Sequence, residues 1–424
     1  MKIRFIYPKF EKLTESWSEL GELSQSKSLG NFRMPPALGI PILTSLTPEN
    51  ITCTVFDENV EPIDFDDDAD LFAISFFTPQ AENAYKIADR LKQKGKKVIA
   101  GGMHPSMMPD EASMHFNSVC IGEAENVWFD ILNDFKTGNL KKFYTGGSPS
   151  LSNMPLPKRN IFKDKDGYDW SATLVQVMRG CSYNCENCIL PVEGGKEFRF
   201  RPIDKVIEDI ESLKFREFFL TDDTLVLPNK ECKTYFLDLL KETQKLDPKP
   251  RMFLSGSLNM PIDDDYLKQL VDGGIVSIYL VLGCDPFSIN AMRKGGDRFF
   301  NWSIDIVKKL QDAGLHVFSS HGFGFDYQDV SSFDKTLEFI EKTKIDTSEF
   351  YILTPFPQTP SWHKFNKENR LLHTNWTKYN TANVVFKPKN MTEDQLTEGF
   401  LYVWKEFYKN YSINDSLNIF TPNK

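Results

Sequence analysis

Residues 179–191 read RGCSYNCENCILP and place three cysteines, Cys181, Cys185 and Cys188, in the spacing C-x3-C-x2-C. They follow directly on an apolar run at 173–178 (TLVQVM) that suits a buried strand. The arrangement raises two questions: what chemistry needs three thiolates this close together, and what scaffold presents them. A structural zinc site takes four nitrogen or sulfur ligands, and its C-x2-C units come in pairs. Here the nearest further candidates are Cys232 and His115, so zinc requires a distant fourth ligand. An iron-sulfur cluster is the alternative. Its irons are usually held by four thiolates, and with three protein thiolates one iron stays open to a substrate or cofactor.

Working outward, strand-helix alternation continues C-terminal to the cysteines. Strands are expected at 173–178, 217–221, 252–257, 277–282, 316–321 and 349–353. Helical patterns lie between them at 202–213, 230–244, 263–272, 302–313 and 332–342. Six such units in series predict a barrel or partial barrel over 171–365, with chemistry on the loops after the strands. The tail 366–424 is aromatic and partly helical. On the N-terminal side, 140–170 is rich in Gly, Ser and Pro (GGSPSLSNMPLPKRN) and reads as a linker. Residues 1–139 alternate again, with short apolar runs at 3–7, 52–56, 71–76, 97–100 and 118–121 and a helical pattern at 80–93. This predicts an α/β, doubly wound, Rossmann-like domain whose ligands sit beyond the C-terminal strand ends.

Bulk properties set the context. The chain has 424 residues, a net charge of -9, and 41% hydrophobic and 13% aromatic residues. No basic stripe stands out, which argues against nucleic acid as a partner. No apolar run reaches transmembrane length and no signal-peptide layout opens the chain, so a cytoplasmic protein is expected. The other cysteines, Cys53, Cys120, Cys232 and Cys284, are scattered, and the total of seven does not suggest a disulfide framework.

The C-x3-C-x2-C stretch and the six-unit pattern resemble the radical S-adenosylmethionine (SAM) superfamily. The resemblance implies the partial (β/α)6 form of the barrel and a [4Fe-4S] cluster held by Cys181, Cys185 and Cys188, whose open iron is chelated by SAM. Reductive SAM cleavage then yields a 5'-deoxyadenosyl radical, fed by an external donor such as flavodoxin or ferredoxin. It further implies SAM contacts at Asp222 and Asp223 in LTDDT (220–224) and at Asp285 in GCDP (283–286); Ser255 and Ser257, at the end of the third strand, could also reach SAM, with core packing the equal alternative. In LTDDT a carboxylate would face the SAM amine; the bland alternative is a turn or a helix cap. Asp285 stands where relatives carry Glu against the ribose; helix capping is its alternative. Cys284 is expected to pack as a small apolar residue. Asn187 departs from the aromatic residue usual before the third cysteine. Two histidines of the fifth barrel strand, His316 and His321, are ambiguous; His321, near its C-terminal end, is a candidate substrate contact.

The N-terminal half resembles the cobalamin-binding domain that precedes the barrel in one large branch of this superfamily. The stretches PPALGIP (35–41), FDENVEPIDFD (56–66), AYKIADRLKQKGKKVIAGGMHPSMMPDEA (84–112) and IGEAENVW (121–128) carry it. The loop LTPFPQTP (353–360) resembles a frequent TPxPGTP loop, with Gln358 in place of Gly, and the segment 375–400 is similar to the C-terminal extension of a subgroup that includes hopanoid methylases and the anaerobic cyclase of bacteriochlorophyll biosynthesis. Cobalamin would lie over Gly101, Gly102, His104, Pro105 and Ser106, with the glycines allowing close approach. A His104–cobalt bond is disfavoured, since relatives often bind cobalamin without one. Glu123 and Glu125 are expected to cap a helix or bridge the two domains. The implied activity is methylation of an unactivated carbon in a natural-product or lipid-like small molecule. Alternatives are a cobalamin-independent or non-methylating cyclisation, dehydration or rearrangement, and, from another class, a non-catalytic iron-sulfur carrier or sensor. Three thiolates in place of four argue against a carrier.

Overall fold

The computed structural model describes residues 1–21, 37–162, 173–190, 195–222, 225–226, 228–282, 286–345 and 347–410, with the side chains of 286–297 and 410 excepted. Two parallel sheets organise the chain. The first contains β1 (Lys2–Tyr7), β2 (Thr52–Asp57), β3 (Leu71–Ser75), β4 (Lys97–Gly101), β5 (Ser118–Gly122) and β6 (Phe143–Gly147), in the order β2-β1-β3-β4-β5-β6. Every pairing is parallel. Its central strands β3 and β4 bury the consecutive apolar residues Leu71–Ile74 and Val98–Ala100 because helices cover both faces. The helix Ala81–Gln93 shows how: Ala84, Tyr85, Ala88 and Leu91 recur at helical spacing and are buried. Strand order reverses between β1 and β3, so a ligand crevice opens at their C-terminal ends.

β6 corrects the sequence reading, which assigned 140–170 to a linker. Phe143–Gly147 extends the sheet beside β5. It is an edge strand that buries only Tyr144 and Gly146, so its two glycines and its polarity mask the strand signal.

The second sheet contains β7 (Thr173–Val175), β10 (Glu217–Leu220), β11 (Arg251–Ser257), β12 (Ile275–Leu282), β13 (His316–Phe323) and β14 (Thr347–Ile352), paired in chain order. Between β7 and β10 lies a small antiparallel ribbon, β8 (Met178–Arg179) with β9 (Arg199–Phe200). Sequential parallel strands with intervening helices make a partial barrel. The run expected as one strand, 173–178, is therefore split. Asp222 Oδ1 accepts the backbone N–H groups of Val177 (2.7 Å) and Met178 (2.6 Å), which diverts the chain from β7 into the ribbon.

The C-terminal segment is a clasp. The helix Glu393–Asn410 buries Leu396, Phe400, Val403, Trp404, Phe407 and Tyr408 against β14 and the helix Ser331–Thr343. Ahead of it, Trp17 Nε1 donates to Ala382 O (2.7 Å) and Lys378 pairs with Glu11 (2.9 Å), tying this segment to the first helical turns of the chain. Among the described residues no helix is long and apolar enough to cross a membrane.

Candidate active site

The cysteine loop leaves the β8–β9 ribbon at Gly180. Its φ of 99° is left-handed, and a Cβ there would lie 2.1 Å from Glu197 O, so only glycine fits. The loop is held along its length. Cys188 N–H donates to Cys185 O (3.2 Å), and Ser361 N–H, at the start of the helix Pro360–Lys367, donates to Glu186 O (2.9 Å). Asn259 Nδ2 donates to Tyr183 Oη (2.7 Å).

Cys181, Cys185 and Cys188 border one cavity of about 300 Å³ at the C-terminal end of the barrel strands. Its walls bring in Ser255 and Ser257 of β11, Val281 of β12, Tyr351 of β14, and Thr381 of the clasp. Among the described residues no trio of His, Cys, Asp or Glu stands at single-ion spacing. A four-iron cube holds each thiolate on a separate iron, so its ligands need not converge on one point. The donors around the cavity thus fit a cluster with one open iron. Ser257 Oγ is buried with no hydrogen-bond partner among the described residues, which leaves a polar atom for a bound molecule. Cys120 and Cys232 play no part here: burial pushes their thiols up to about 12 and about 11 respectively, and they pack as apolar residues.

The other sequence expectations divide. Asp222 is 6% exposed, and its Oδ1 is spent on the two backbone N–H groups, so it shapes the strand that feeds the cysteine loop. Asp223, Cys284 and Asp285 lie outside the described residues. Asn187 lines the cavity. His321 corrects the expectation of a substrate contact. Its ring packs between Phe339 and Phe350, and Nε2 bonds Ser319 Oγ (2.9 Å). Strand parity sends it to the helical layer, whereas its neighbours Ser320 and Gly322 face the lumen. Burial lowers its pKa to about 3, so it is neutral. His316 bonds Ser277 Oγ (2.9 Å) at the opposite end of the same strand.

At the N-terminal sheet, Gly101 ends β4 with open space where a Cβ would stand, and Gly102 (φ 100°) packs on Phe76 O, where a Cβ would lie at 2.7 Å. Met103, next to them, is 41% exposed. This edge fits a broad ring. His104 does not fit as a cobalt ligand. It is fully buried beside Pro105, with Nδ1 3.2 Å from Thr78 Oγ1 and Nε2 3.0 Å from Tyr85 Oη. Ser106 Oγ donates to Gly102 O (2.8 Å) and accepts Gly122 N–H (2.9 Å), which ties the loop to β5.

What joins the two halves was left open by the sequence, which did not name the partners of the two acids. Glu123, just past β5, bonds both Arg179 and Arg199; Glu125 pairs with Arg179 at 2.7 Å. Of the two expectations for these acids, the structure shows the bridge; Glu123 makes no side-chain helix cap. The edge of the first sheet is thereby fixed against the residue that leads into the cysteines.

Residues 175–340 match the model of the radical SAM superfamily, and residues 37–130 match that of the B12 binding domain. The chain is 30% identical over 429 residues to the bacteriochlorophyllide d C-12(1)-methyltransferase of Chlorobaculum tepidum, covering 96% of this chain and 92% of that one. It belongs to the radical SAM superfamily, in the branch with a B12-binding domain. A second relative is the bacteriochlorophyllide d C-8(2)-methyltransferase of the same organism, 29% identical over 395 residues, with 87% and 86% covered. Among solved structures, the radical SAM methyltransferase TsrM of Kitasatospora setae, with cobalamin and a [4Fe-4S] cluster bound, shares the fold. Its TM-score is 0.63 at 13% identity, covering 87% of this chain and 75% of that one. The protein is thus a cobalamin-dependent radical SAM methyltransferase, using a [4Fe-4S] cluster and SAM.

Proposed function

We propose that this enzyme methylates an unactivated carbon of an apolar small molecule, and that a tetrapyrrole-type macrocycle is its substrate class. The observation that carries this reading is the cavity itself: three thiols at one end and walls of Val226, Val281, Phe325, Leu353 and Phe356 beyond them. Such a lining suits a ligand that is mostly hydrocarbon. The near full-length similarity to two methyltransferases of bacteriochlorophyllide d supports the macrocycle.

When bound, the cluster and SAM supply the adenosyl radical and the corrinoid supplies the methyl group. The chain's own residues divide the remaining work. Cys181, Cys185 and Cys188 hold the cluster, with Ser255 and Ser257 beside it to meet SAM. Gly101 leaves the edge of the first sheet open to the corrinoid and Gly102 lets the loop pack tightly on Phe76 beside it, without an imidazole ligand from His104. Arg179 and Glu123 keep the two cofactor sites in fixed relation. The apolar walls exclude water from the radical. An external one-electron donor of the ferredoxin or flavodoxin class feeds the cluster.

The test is anaerobic incubation of the protein, reconstituted with iron, sulfide and hydroxocobalamin, with SAM, a reductant and bacteriochlorophyllide d. A product heavier by one methyl substitution, with 5'-deoxyadenosine and S-adenosylhomocysteine both formed, supports the reading. SAM cleavage with no methylated product removes the macrocycle as substrate. Failure to retain any corrinoid after desalting removes methyl transfer by this route.

A further inference from the structure

One acidic side chain inside the barrel has no part in the scheme above. Register pairs Ser257 with Val281, Val281 with Ser320, and Ser320 with Glu349, so these four form one row across β11 to β14. Ser257 and Val281 line the cavity. Paired residues of parallel strands point to the same face, which puts Glu349 on the lumen wall at the same level. Tyr351, two residues on along the same strand, lines the cavity as well and confirms the parity.

Glu349 Oε1 accepts two hydrogen bonds, from Tyr279 Oη and from Ser320 Oγ (2.9 Å). No Lys, Arg or His pairs with this carboxyl among the described residues. A buried carboxyl without a cation favours its neutral form. Burial accordingly raises its pKa, against the lowering effect of the two hydrogen bonds. The residue is not fully enclosed: its exposure is intermediate. With Oε1 engaged twice as an acceptor, the acid proton belongs on Oε2, which makes no hydrogen bond among the described residues. Ser257 Oγ, in the same row, likewise has none. An apolar cavity thus carries a donor on each side of its row and nothing of the protein's own to receive them.

We propose that Glu349 is a ligand-binding residue: as a neutral acid it donates a hydrogen bond to an acceptor atom on the molecule that fills the cavity, the substrate or SAM. The substrate branch rests on the macrocycle reading given above; the SAM branch does not. A macrocycle with carbonyl or carboxyl oxygens at its rim would be oriented by this single polar point in an apolar wall, which selects the carbon presented to the radical.

The experiment uses the reconstituted holoenzyme and its E349Q and E349L variants, with SAM and bacteriochlorophyllide d as probes. The infrared difference between wild type and E349Q should show a carboxylic-acid C=O stretch. That band should shift when the ligand it contacts is added, and the ligand that shifts it names the source. E349L should weaken that ligand's Kd about tenfold, the worth of one hydrogen bond, while E349Q, which keeps a donor, stays within about threefold. Absence of the band, a band unmoved by both probes, or unchanged Kd values for both in E349L overturns the proposal. If wild type does not methylate bacteriochlorophyllide d, the macrocycle reading falls, and the band and the SAM Kd still decide for or against Glu349.

Discussion

Glu123 Oε2 accepts a hydrogen bond of 2.9 Å from Nη1 of Arg199, and the same carboxylate also holds Arg179. The two arginines flank the cysteine segment, one before Cys181 and one after Cys188, so a single acid of the first domain closes the base of the cluster loop. Both partners are about one-seventh exposed. Glu123→Ala takes a carboxylate from two desolvated guanidinium groups, leaving Glu125 to Arg179, and should cost about 2–3 kcal/mol in urea unfolding. Iron retained per chain after desalting should fall with it. Unchanged stability together with unchanged iron would sink the idea that this bridge anchors the loop.

Cys185→Ala removes one of the three thiols that border the cavity. SAM cleavage should fall below detection, measured as 5'-deoxyadenosine formed under reductant, with loss of the iron-sulfur absorbance. Continued 5'-deoxyadenosine production would refute the cluster assignment.

His104→Gln tests the buried network at the corrinoid edge. Tyr85 Oη and Trp376 Nε1 both donate to Glu111 Oε1, at 2.9 and 2.8 Å, and His104 leans on Tyr85. The variant should lose about 1–3 kcal/mol yet retain corrinoid at the wild-type ratio per chain. A folded variant unable to hold corrinoid would restore His104 as a cofactor ligand.

His321 sets a pH dependence. Burial lowers its pKa from 6.5 to about 3, so the unfolded chain takes up a proton that the folded chain refuses. Between those values the unfolded state binds more protons, and stability falls as pH falls, by about 1 kcal/mol per pH unit from this group. The contribution is complete above 6.5. Denaturant unfolding of wild type and His321→Gln between pH 7 and pH 5 should give a shallower slope for the variant; parallel slopes would count against the assignment.

Asp209 is wholly buried between Arg201 (2.9 Å) and Arg159 (2.5 Å). Arg201 also donates to Gln176 O (2.9 Å), beside the point where β7 breaks. Asp209→Asn strands two cations and should cost about 3–5 kcal/mol. A loss under 1 kcal/mol in urea unfolding would show that water reaches the site.

Much of the fold was legible because both sheets are buried on both faces, which writes each central strand as a short apolar run. The three cysteines were legible because their spacing is local. The same burial hid other things. Along β13 neither face alternates in polarity, so nothing in the sequence says that Ser320 looks into the lumen while His321 looks out. The bridge from Glu123 to Arg179 and Arg199 joins residues far apart in sequence, and no periodicity encodes it. β6 was missed because an edge strand of glycines and polar residues resembles a loop. Asp222 was placed correctly at a strand end; its use by two backbone amides depends on a neighbouring strand.

Thr381 bears on how the protein is made. It holds a left-handed φ of 64°, rare for a β-branched residue, while its carbonyl accepts Ile352 N–H (2.7 Å) and its side chain walls the cavity. Translation delivers the corrinoid-type domain first, the cysteine loop next, and this wall only after all six barrel strands have been synthesised. A nascent chain therefore presents its thiols and its first sheet edge while that side of the cavity is still open. That side of the cavity is complete only once the clasp has folded back onto Glu11 and Trp17.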